Sequence, residues 1–293
     1  MHASASVFRP DRPAGCPSIA SEPRAPGASA VWRRLARATG ALAVLAALAG
    51  CASAPSDISL AKPAAAVAAP VGGLAVERIE WKRARPGCRT DCPTISVQSV
   101  AFAQAPRLTQ LVDHALAMMT GLDTASRQLP YVDLAGFEED FWQTAQPGYE
   151  TVLKAAVLRQ TPDLVVLQLD SYQYTGGAHG IPATQYLNWQ VEPGRLLSLD
   201  DILVPGQRPA FMAALRQAHA AWLRDNPDAK EDPARYDQLW PFQESDNYAL
   251  LADGVRIKYD AYTIAPYSHG QPELTIPYAS LQGVVKPQYL PQP

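Results

Sequence analysis

His179 is the first side chain in this sequence whose type and setting could support chemistry. It stands in Thr175-Gly176-Gly177-Ala178-His179-Gly180, and glycines on both sides allow a ligand to come close to a ring that titrates near neutral pH. The alternative is that the ring caps a hairpin by hydrogen bonding to nearby backbone. We predict the capping role over a catalytic one, and we leave contact with a partner open.

Other catalytic arrangements are weaker still. Asp200 and Asp201 could act as a carboxylate pair on a glycosidic bond, but two aspartates before Ile202-Leu203 are more typical of a turn and a helix cap. There is no Gly-x-Ser-x-Gly motif. Metal hydrolysis needs clustered ligands, and the five histidines are dispersed: His2, His114, His179, His219 and His269. We therefore predict that the protein is not an enzyme and holds no metal or cofactor.

Two of the four cysteines, Cys88 and Cys92, lie close together in Gly87-Cys88-Arg89-Thr90-Asp91-Cys92-Pro93. A zinc site would need two further ligands, and no other Cys or His is near. In an exported protein the spacing favours a small-loop disulfide, which the loop-entropy model values at roughly 2 kcal/mol.

The N-terminal 50 residues are predicted to be a signal peptide. Residues 38–50 are almost entirely Ala, Leu and Val, follow Arg33, Arg34 and Arg37, and end at Leu48-Ala49-Gly50-Cys51. This run is shorter than a membrane span of about 20 residues, and its flanks are typical of a leader; an inner-membrane anchor is the alternative. Residues 1–30 are polar and Pro-rich for a leader, which suggests a translation start further downstream.

The last four residues of that segment resemble a bacterial lipobox, which implies cleavage before Cys51 and acylation of its thiol. Ala52 resembles the sorting signal for the outer membrane, so we predict a lipid-anchored protein on the periplasmic face of that membrane. Residues 51–73 are rich in Ala and Pro without apolar periodicity, so we expect a tether that extends roughly 3 Å per residue.

Charge argues against nucleic acid as a partner. The chain has 25 basic and 28 acidic residues, and residues 1–50 contain 6 and 2 of them. The remainder therefore has 19 basic and 26 acidic residues, a net charge of −7. An acidic surface suits a basic protein partner, although most such surfaces serve solubility.

Apolar periodicity predicts an α+β fold with antiparallel sheets and packed helices. In the N-terminal half, residues 74–160, we expect strands at 74–82, 94–102 and 149–159. We also expect a helix at 106–122 and a second at 132–145, with Leu134, Phe137, Phe141 and Trp142 inward and Glu138, Glu139 and Asp140 outward.

The C-terminal half, residues 161–293, is predicted to continue the sheet with strands at 164–174 and 184–191, joined in an antiparallel meander by a long Gly-rich tip. A short strand at 196 runs into a turn capped by Asp200, and a helix covers 209–226. An exposed loop follows at 225–233, then strands at 248–251, 255–259, 262–267 and 273–276 and a helical turn at 278–281.

Three separated motifs carry a family resemblance. They are Tyr174-Thr175-Gly176-Gly177-Ala178-His179-Gly180, Leu197-Ser198-Leu199-Asp200-Asp201-Ile202-Leu203, and Tyr262-Thr263-Ile264-Ala265-Pro266-Tyr267 with Gly270 and Thr275-Ile276-Pro277-Tyr278. In order and spacing they resemble the RsiV-like family, which includes anti-sigma factors that recognise lysozyme and the non-catalytic region of some peptidoglycan deacetylases. The resemblance is strongest over residues 165–281. It implies a two-part α+β unit and, in the anti-sigma members, a surface that grips the lysozyme active-site cleft.

The resemblance favours a binding role for Tyr262 and Tyr267. Tyrosine offers a large contact area with a polar tip and is enriched in binding hot spots; the alternative is an edge strand buried against the domain's own core. We expect the loop at 264–270 and the tip at 175–180 to lie together and form a recognition surface. Its predicted contact residues are Thr175, Gly176, Gly177, His179, Tyr262, Pro266 and Tyr267.

These observations lead to three hypotheses. The first is a periplasm-facing lipoprotein that binds a protein or cell-wall ligand, with a lysozyme-like muramidase or a peptidoglycan component as the partner. The second is a peptidoglycan-modifying accessory protein or hydrolase. The third is a structural envelope lipoprotein without a specific ligand.

Overall fold

The computed structural model describes residues 66–67, 73–124 and 129–291. The predicted signal peptide, the lipidation site Cys51 and most of the predicted tether lie outside the described residues. Within the described ranges, none of the helices has the length and apolar character needed to cross a bilayer.

Seven strands form one sheet in chain order: β1 (Ala66–Val67), β2 (Val76–Ala84), β3 (Thr94–Ala101), β4 (Glu150–Gln160), β5 (Leu164–Tyr174), β6 (Ile181–Gln190) and β7 (Arg195–Leu196). β1 falls inside the predicted tether and pairs with Val76 and Glu77. The predicted meander is confirmed, since β4, β5 and β6 pair antiparallel. One pair was not foreseen: β3 and β4 are parallel.

Two helices form the crossover that this parallel pair requires. They are α1 (Pro106–Met118), followed by a 3-10 turn over Met119–Thr124, and α2 (Leu134–Thr144). α1 begins at a proline, and the Asp133 carboxylate caps α2 by accepting from the Gly136 N–H. Their apolar faces cover one side of the sheet and, with strand residues such as Ile95, Val97 and Leu167, form the first hydrophobic core.

Glu138 of α2 corrects an expectation, because it points inward. Its side chain is only 4% exposed, and its carboxylate accepts from Arg83 Nη1 at 2.8 Å and from the Trp142 indole N–H at 3.0 Å. Arg83 comes from β2, 55 residues away. A charge on the buried face is tolerated because it is paired and hydrogen-bonded.

The disulfide between Cys88 and Cys92 is confirmed and lies in the turn from β2 to β3. In the same turn, the Asp91 carbonyl accepts from the Gly148 N–H at 2.7 Å. This bond ties the turn to the segment that leads into β4.

The C-terminal part packs on the other face of the sheet. It contains α3 (Leu199–Ile202), α4 (Arg208–Asp225), α5 (Pro227–Glu231) and α6 (Pro233–Leu239), followed by an antiparallel sheet of β8 (Tyr248–Leu250), β9 (Gly254–Lys258) and β10 (Glu273–Pro277). The exposed loop predicted at 225–233 is wrong: two short helices occupy it, each beginning at a proline after a capping Asn226 or Asp232.

The second hydrophobic core lies between this part and β5 and β6, and it includes Val166, Tyr186, Phe211, Leu250 and Ile276. Two asparagine side chains join the sheets through their backbones. Asn188 donates to the Tyr248 carbonyl and accepts from the Leu250 N–H, and Asn247 accepts from the Tyr186 N–H and donates to the Thr184 carbonyl. The α+β class with packed helices is confirmed.

Candidate functional site

The Gly-rich tip spans residues 175–180, between the ends of β5 and β6. Gly176 and Gly177 have φ of 95° and 91°, a region that favours glycine. Gly180 is needed for another reason, since a Cβ there would overlap the Tyr172 ring and the Gln173 carbonyl oxygen. The tip is thus shaped by glycine, and residues 175–179 are exposed.

The facing loop, residues 260–271, is not the strand predicted at 262–267. Tyr262 has φ of 69°, and Tyr267–His269 form a 3-10 turn after Pro266. Asp260 anchors the loop: its Oδ1 accepts from the Thr184 N–H at 2.8 Å and from Gln271 Nε2 at 3.0 Å. Burial raises the pKa of Asp260 above its usual value, because the desolvation outweighs these two hydrogen bonds.

The tip and the loop meet through three rings, His179, Tyr262 and Tyr267, which we call the aromatic cluster. His179 stacks on Tyr267 with ring centroids 3.8 Å apart, and the Tyr262 ring lies 5.6 Å from Tyr267. The Tyr267 hydroxyl donates to the Gly180 carbonyl at 3.0 Å. The structure therefore brings the two predicted segments together, as expected from the sequence.

The hydrogen bonds of His179 are those of a positioned ring. Nδ1 lies 3.1 Å from the Gly180 carbonyl, which can only accept, and Nε2 lies 3.2 Å from the Tyr262 hydroxyl, within hydrogen-bonding distance. Among the described residues, neither nitrogen contacts a carboxylate, and no group of three His, Cys, Asp or Glu could hold a metal ion. This arrangement fits capping and contact better than proton transfer.

The aromatic cluster faces solvent. Tyr262 is 54% exposed despite its contacts with the His179 and Tyr267 rings. Thr175, Gly176 and Gly177 are exposed at the tip, while Pro266 is half-buried beside the cluster.

Two aromatic residues of this surface were missed from the sequence. Trp240 stacks near Tyr262, with centroids 6.4 Å apart and 29° between the planes, and the Tyr172 hydroxyl accepts from the Gly180 N–H at 3.1 Å. Tyr172 could have been found from the sequence, because it lies near the end of β5 just before the tip. Trp240 could not, because its position depends on how α6 packs.

The aspartate pair has a structural role. Ser198 caps α3, accepting from the Asp201 N–H, and its own N–H donates to Asp201 Oδ2 at 2.8 Å, which completes a capping box. The predicted cap at Asp200 is therefore wrong; Asp200 instead pairs with Arg208. The hydrogen bonds from the Ser198 hydroxyl and N–H, with Arg195 nearby, lower the pKa of Asp201 to about 2. Such a carboxyl stays ionised and is poorly suited to act as a general acid.

The chain matches known proteins over much of its length. The family model DUF3298, described as a protein of unknown function, matches residues 200–279, which include Tyr262, Pro266 and Tyr267 but not the tip. A DUF3298 protein of known structure from Bacteroides fragilis NCTC 9343 is 20% identical, covers 73% of this chain and 94% of its own, and superposes with a TM-score of 0.56. That likeness shows the fold alone.

A curated relative is the peptidoglycan-N-acetylmuramic acid deacetylase PdaC of Bacillus subtilis strain 168. It is 25% identical over 136 residues, which are 46% of this chain and 29% of PdaC. The chain thus spans less than a third of that enzyme's length.

The crystal structure of a DUF3298 family protein from Pseudomonas aeruginosa PAO1 gives a more extensive match. It is 39% identical, covers 75% of this chain and 98% of its own, and superposes with a TM-score of 0.69. The narrower RsiV-like assignment stays a prediction. Because this identity extends over nearly the whole of a DUF3298 protein, the chain belongs to the DUF3298 family.

Proposed function

We propose that this chain is a bacterial envelope lipoprotein whose DUF3298 domain binds a protein or cell-wall ligand and has no catalytic activity of its own. The observation that carries the proposal is the aromatic cluster, which is held by its own contacts yet faces solvent. The leader and Cys51 support anchoring by lipid on the periplasmic face of the outer membrane, which mass spectrometry of the exported N-terminus would test.

Binding is favoured because the cluster is ordered before any ligand arrives. The stack on His179 and the bond from the Tyr267 hydroxyl to Gly180 restrict side chains that a flexible surface would have to immobilise on binding. A rigid tyrosine surface of this kind is typical of interface hot spots.

A lysozyme-like muramidase is the most concrete ligand. The motif resemblance supports it, and so does the charge of −7 after residue 50, since a basic enzyme would be attracted to an acidic domain. A peptidoglycan component is the other ligand of this proposal, and the relation to part of PdaC supports a link with the cell wall.

The direct experiment uses the chain from residue 52 onward, which lacks the lipidation site and contains all the residues that the structure describes. Calorimetry measures its affinity for purified lysozyme, and sedimentation with purified sacculi measures association with peptidoglycan. We expect Tyr262→Ala to weaken whichever binding occurs by about tenfold or more, as hot-spot truncations do.

Leu158→Ala is the matched control. Leu158 is an exposed apolar residue of β4, outside the tip and its facing loop, so its truncation should leave the affinity unchanged. No binding of either ligand at micromolar concentration, at low and moderate salt, would overturn the proposal. So would a Tyr262→Ala variant that binds as well as the wild type.

A second candidate, a peptidoglycan-modifying accessory protein, is favoured by the relation to PdaC. It predicts that the purified protein releases acetate or muropeptides from sacculi and that His179→Ala abolishes this. A protein that leaves sacculi chemically intact rules this candidate out. A purely structural lipoprotein would neither bind these ligands nor modify sacculi.

A further inference from the structure

A groove borders the aromatic cluster on the side of the two short helices. It has a volume of about 330 Å³ and is lined by residues of α5 and α6 together with Trp240 and Pro266. Trp240 stacks near Tyr262, so the groove and the aromatic cluster form one continuous surface.

The groove has an exposed apolar part on a fixed base. Leu239, at the end of α6, is 58% exposed. Beneath it Tyr236 is buried, and its hydroxyl donates to the Ile264 carbonyl at 3.3 Å and accepts from Asn226 Nδ2 at 3.1 Å. These bonds hold α6 to the loop that carries Tyr262. An exposed leucine on a fixed base, in a groove that Trp240 connects to the aromatic cluster, is suited to bind apolar groups of a partner.

The rim of the groove is acidic. Three carboxylates line the groove, Asp228, Glu231 and Asp232, together with one cation, Arg235, so the lining has a net charge of −2. Asp232 caps α6, and Asp228 lies 3.6 Å from His269. Glu231, by contrast, has no hydrogen bond or ion pair with any described residue. Its carboxylate is therefore free to meet a cation from outside.

From this geometry we infer that the groove receives a lysine or arginine side chain of a protein partner, flanked by an apolar residue that packs on Leu239. This rests on the proposed function and specifies the chemistry of the partner. The cation would lie between the free carboxylate and the Trp240 ring, combining charge attraction with a cation–π contact. The N-acetylated sugars of a glycan offer neither the positive charge nor the aliphatic side chain.

The test uses a probe independent of lysozyme. The tripeptide acetyl-Leu-Arg-Leu-amide is titrated into the isotope-labelled chain from residue 52, and the Trp240 indole signal, assigned with Trp240→Phe, is followed by NMR. The isosteric acetyl-Leu-citrulline-Leu-amide has no charge and serves as the control ligand. We expect a saturable shift with the arginine peptide and at least fivefold weaker binding of the citrulline peptide.

Two variants test whether the Glu231 carboxylate contributes to binding of the arginine peptide. Glu231→Gln should weaken the arginine peptide about three- to fivefold, as expected for one partly exposed charge contact beside a cation–π contact. The matched variant Glu139→Gln, an exposed carboxylate of α2, should have no effect.

Absence of a shift at Trp240, equal binding of the two peptides, or equal losses in Glu231→Gln and Glu139→Gln would each overturn the inference. The result is separable from the proposed function. Binding of the arginine peptide without binding of lysozyme or sacculi would support the groove and contradict the proposed function. Binding of lysozyme or sacculi without binding of the arginine peptide would support the proposed function and contradict the groove.

Discussion

Two of the aromatic clusters in the described part of this molecule differ in where they face. Around α2, the rings of Tyr131, Phe137, Phe141 and Trp142 lie 5.3–5.5 Å from their neighbours and belong to the first core or pack against it. Around the Gly-rich tip, the ring centroids of His179, Tyr262 and Tyr267 lie 3.8–6.3 Å from one another, yet Tyr262 is 54% exposed.

The comparison teaches that ring packing alone does not reveal a binding site. In the first region the rings remove apolar area from water, and their neighbouring charge, Glu138, is paired inside. In the second region the rings order one another while their outer faces stay available. We expect changes in the first region to alter stability and changes in the second to alter recognition.

The largest expected effect comes from breaking the buried ion pair of the first region. Arg83→Ala should lower the free energy of unfolding by about 3 kcal/mol, because Glu138 is then left as a buried charge without its cation. Chemical denaturation measures this. Affinity for lysozyme or sacculi should be unchanged.

Arg78→Ala on the same strand is the control, since Arg78 is exposed and makes no ion pair with a described residue. If both variants lose the same stability, the pair with Glu138 does not have the role assigned to it.

A smaller effect, on both properties at once, is expected at the base of the second region. Tyr236→Phe removes the hydroxyl that joins Asn226 to the Ile264 carbonyl, which should lower stability by about 1 kcal/mol and weaken ligand binding a few-fold. Thermal denaturation and calorimetry would show it. Tyr149→Phe, whose hydroxyl has no described partner, should change neither, and a Tyr236→Phe variant with full affinity would argue against a rigid base.

The smallest effect returns to the first region and depends on pH. Burial raises the pKa of Asp113 on α1 to about 6, from 3.8. The folded form therefore holds this proton more tightly, so stability is lost as pH rises from about 4 through 6. Asp113→Asn should remove that loss and raise stability at pH 7.5 by about 1 kcal/mol or less, because the group is partly solvated.

At pH 4 the Asp113→Asn variant and the wild type should have equal stability. Denaturation curves at the two pH values would test this. A gain of the same size at both would show that the proton on Asp113 is not the cause.

The elements that were predicted well have local signals. α1 and α4 have apolar residues three and four apart, and β4, β5 and β6 have short turns between β-favouring runs. The proximity of tip and loop was also expected, because their motifs occur together in the resembling family. Here sequence pattern and packing agree.

The errors come from contacts distant in sequence. The helical pattern predicts an outward Glu138, because the sequence near it gives no sign of its partner Arg83, 55 residues earlier. The parallel pairing of β3 with β4 depends on where the crossover helices dock. The strand predicted over 262–267 fails because Tyr262 takes a positive φ, which places its ring beside His179. A proline within a polar stretch indicates a loop when it is taken as a helix breaker, but Pro227 and Pro233 are the first residues of α5 and α6.

The outer edge of the large sheet has a consequence for association with other chains. Among the described residues, β1 pairs with only Val76 and Glu77 of β2, and no other described strand pairs with this edge of β2. That strand carries alternating charges, with Arg78, Glu80 and Lys82 exposed. Charged side chains along an edge oppose the addition of a foreign strand. The domain thus exposes aromatic rings for binding at the aromatic cluster, while charged side chains oppose strand addition at the β2 edge.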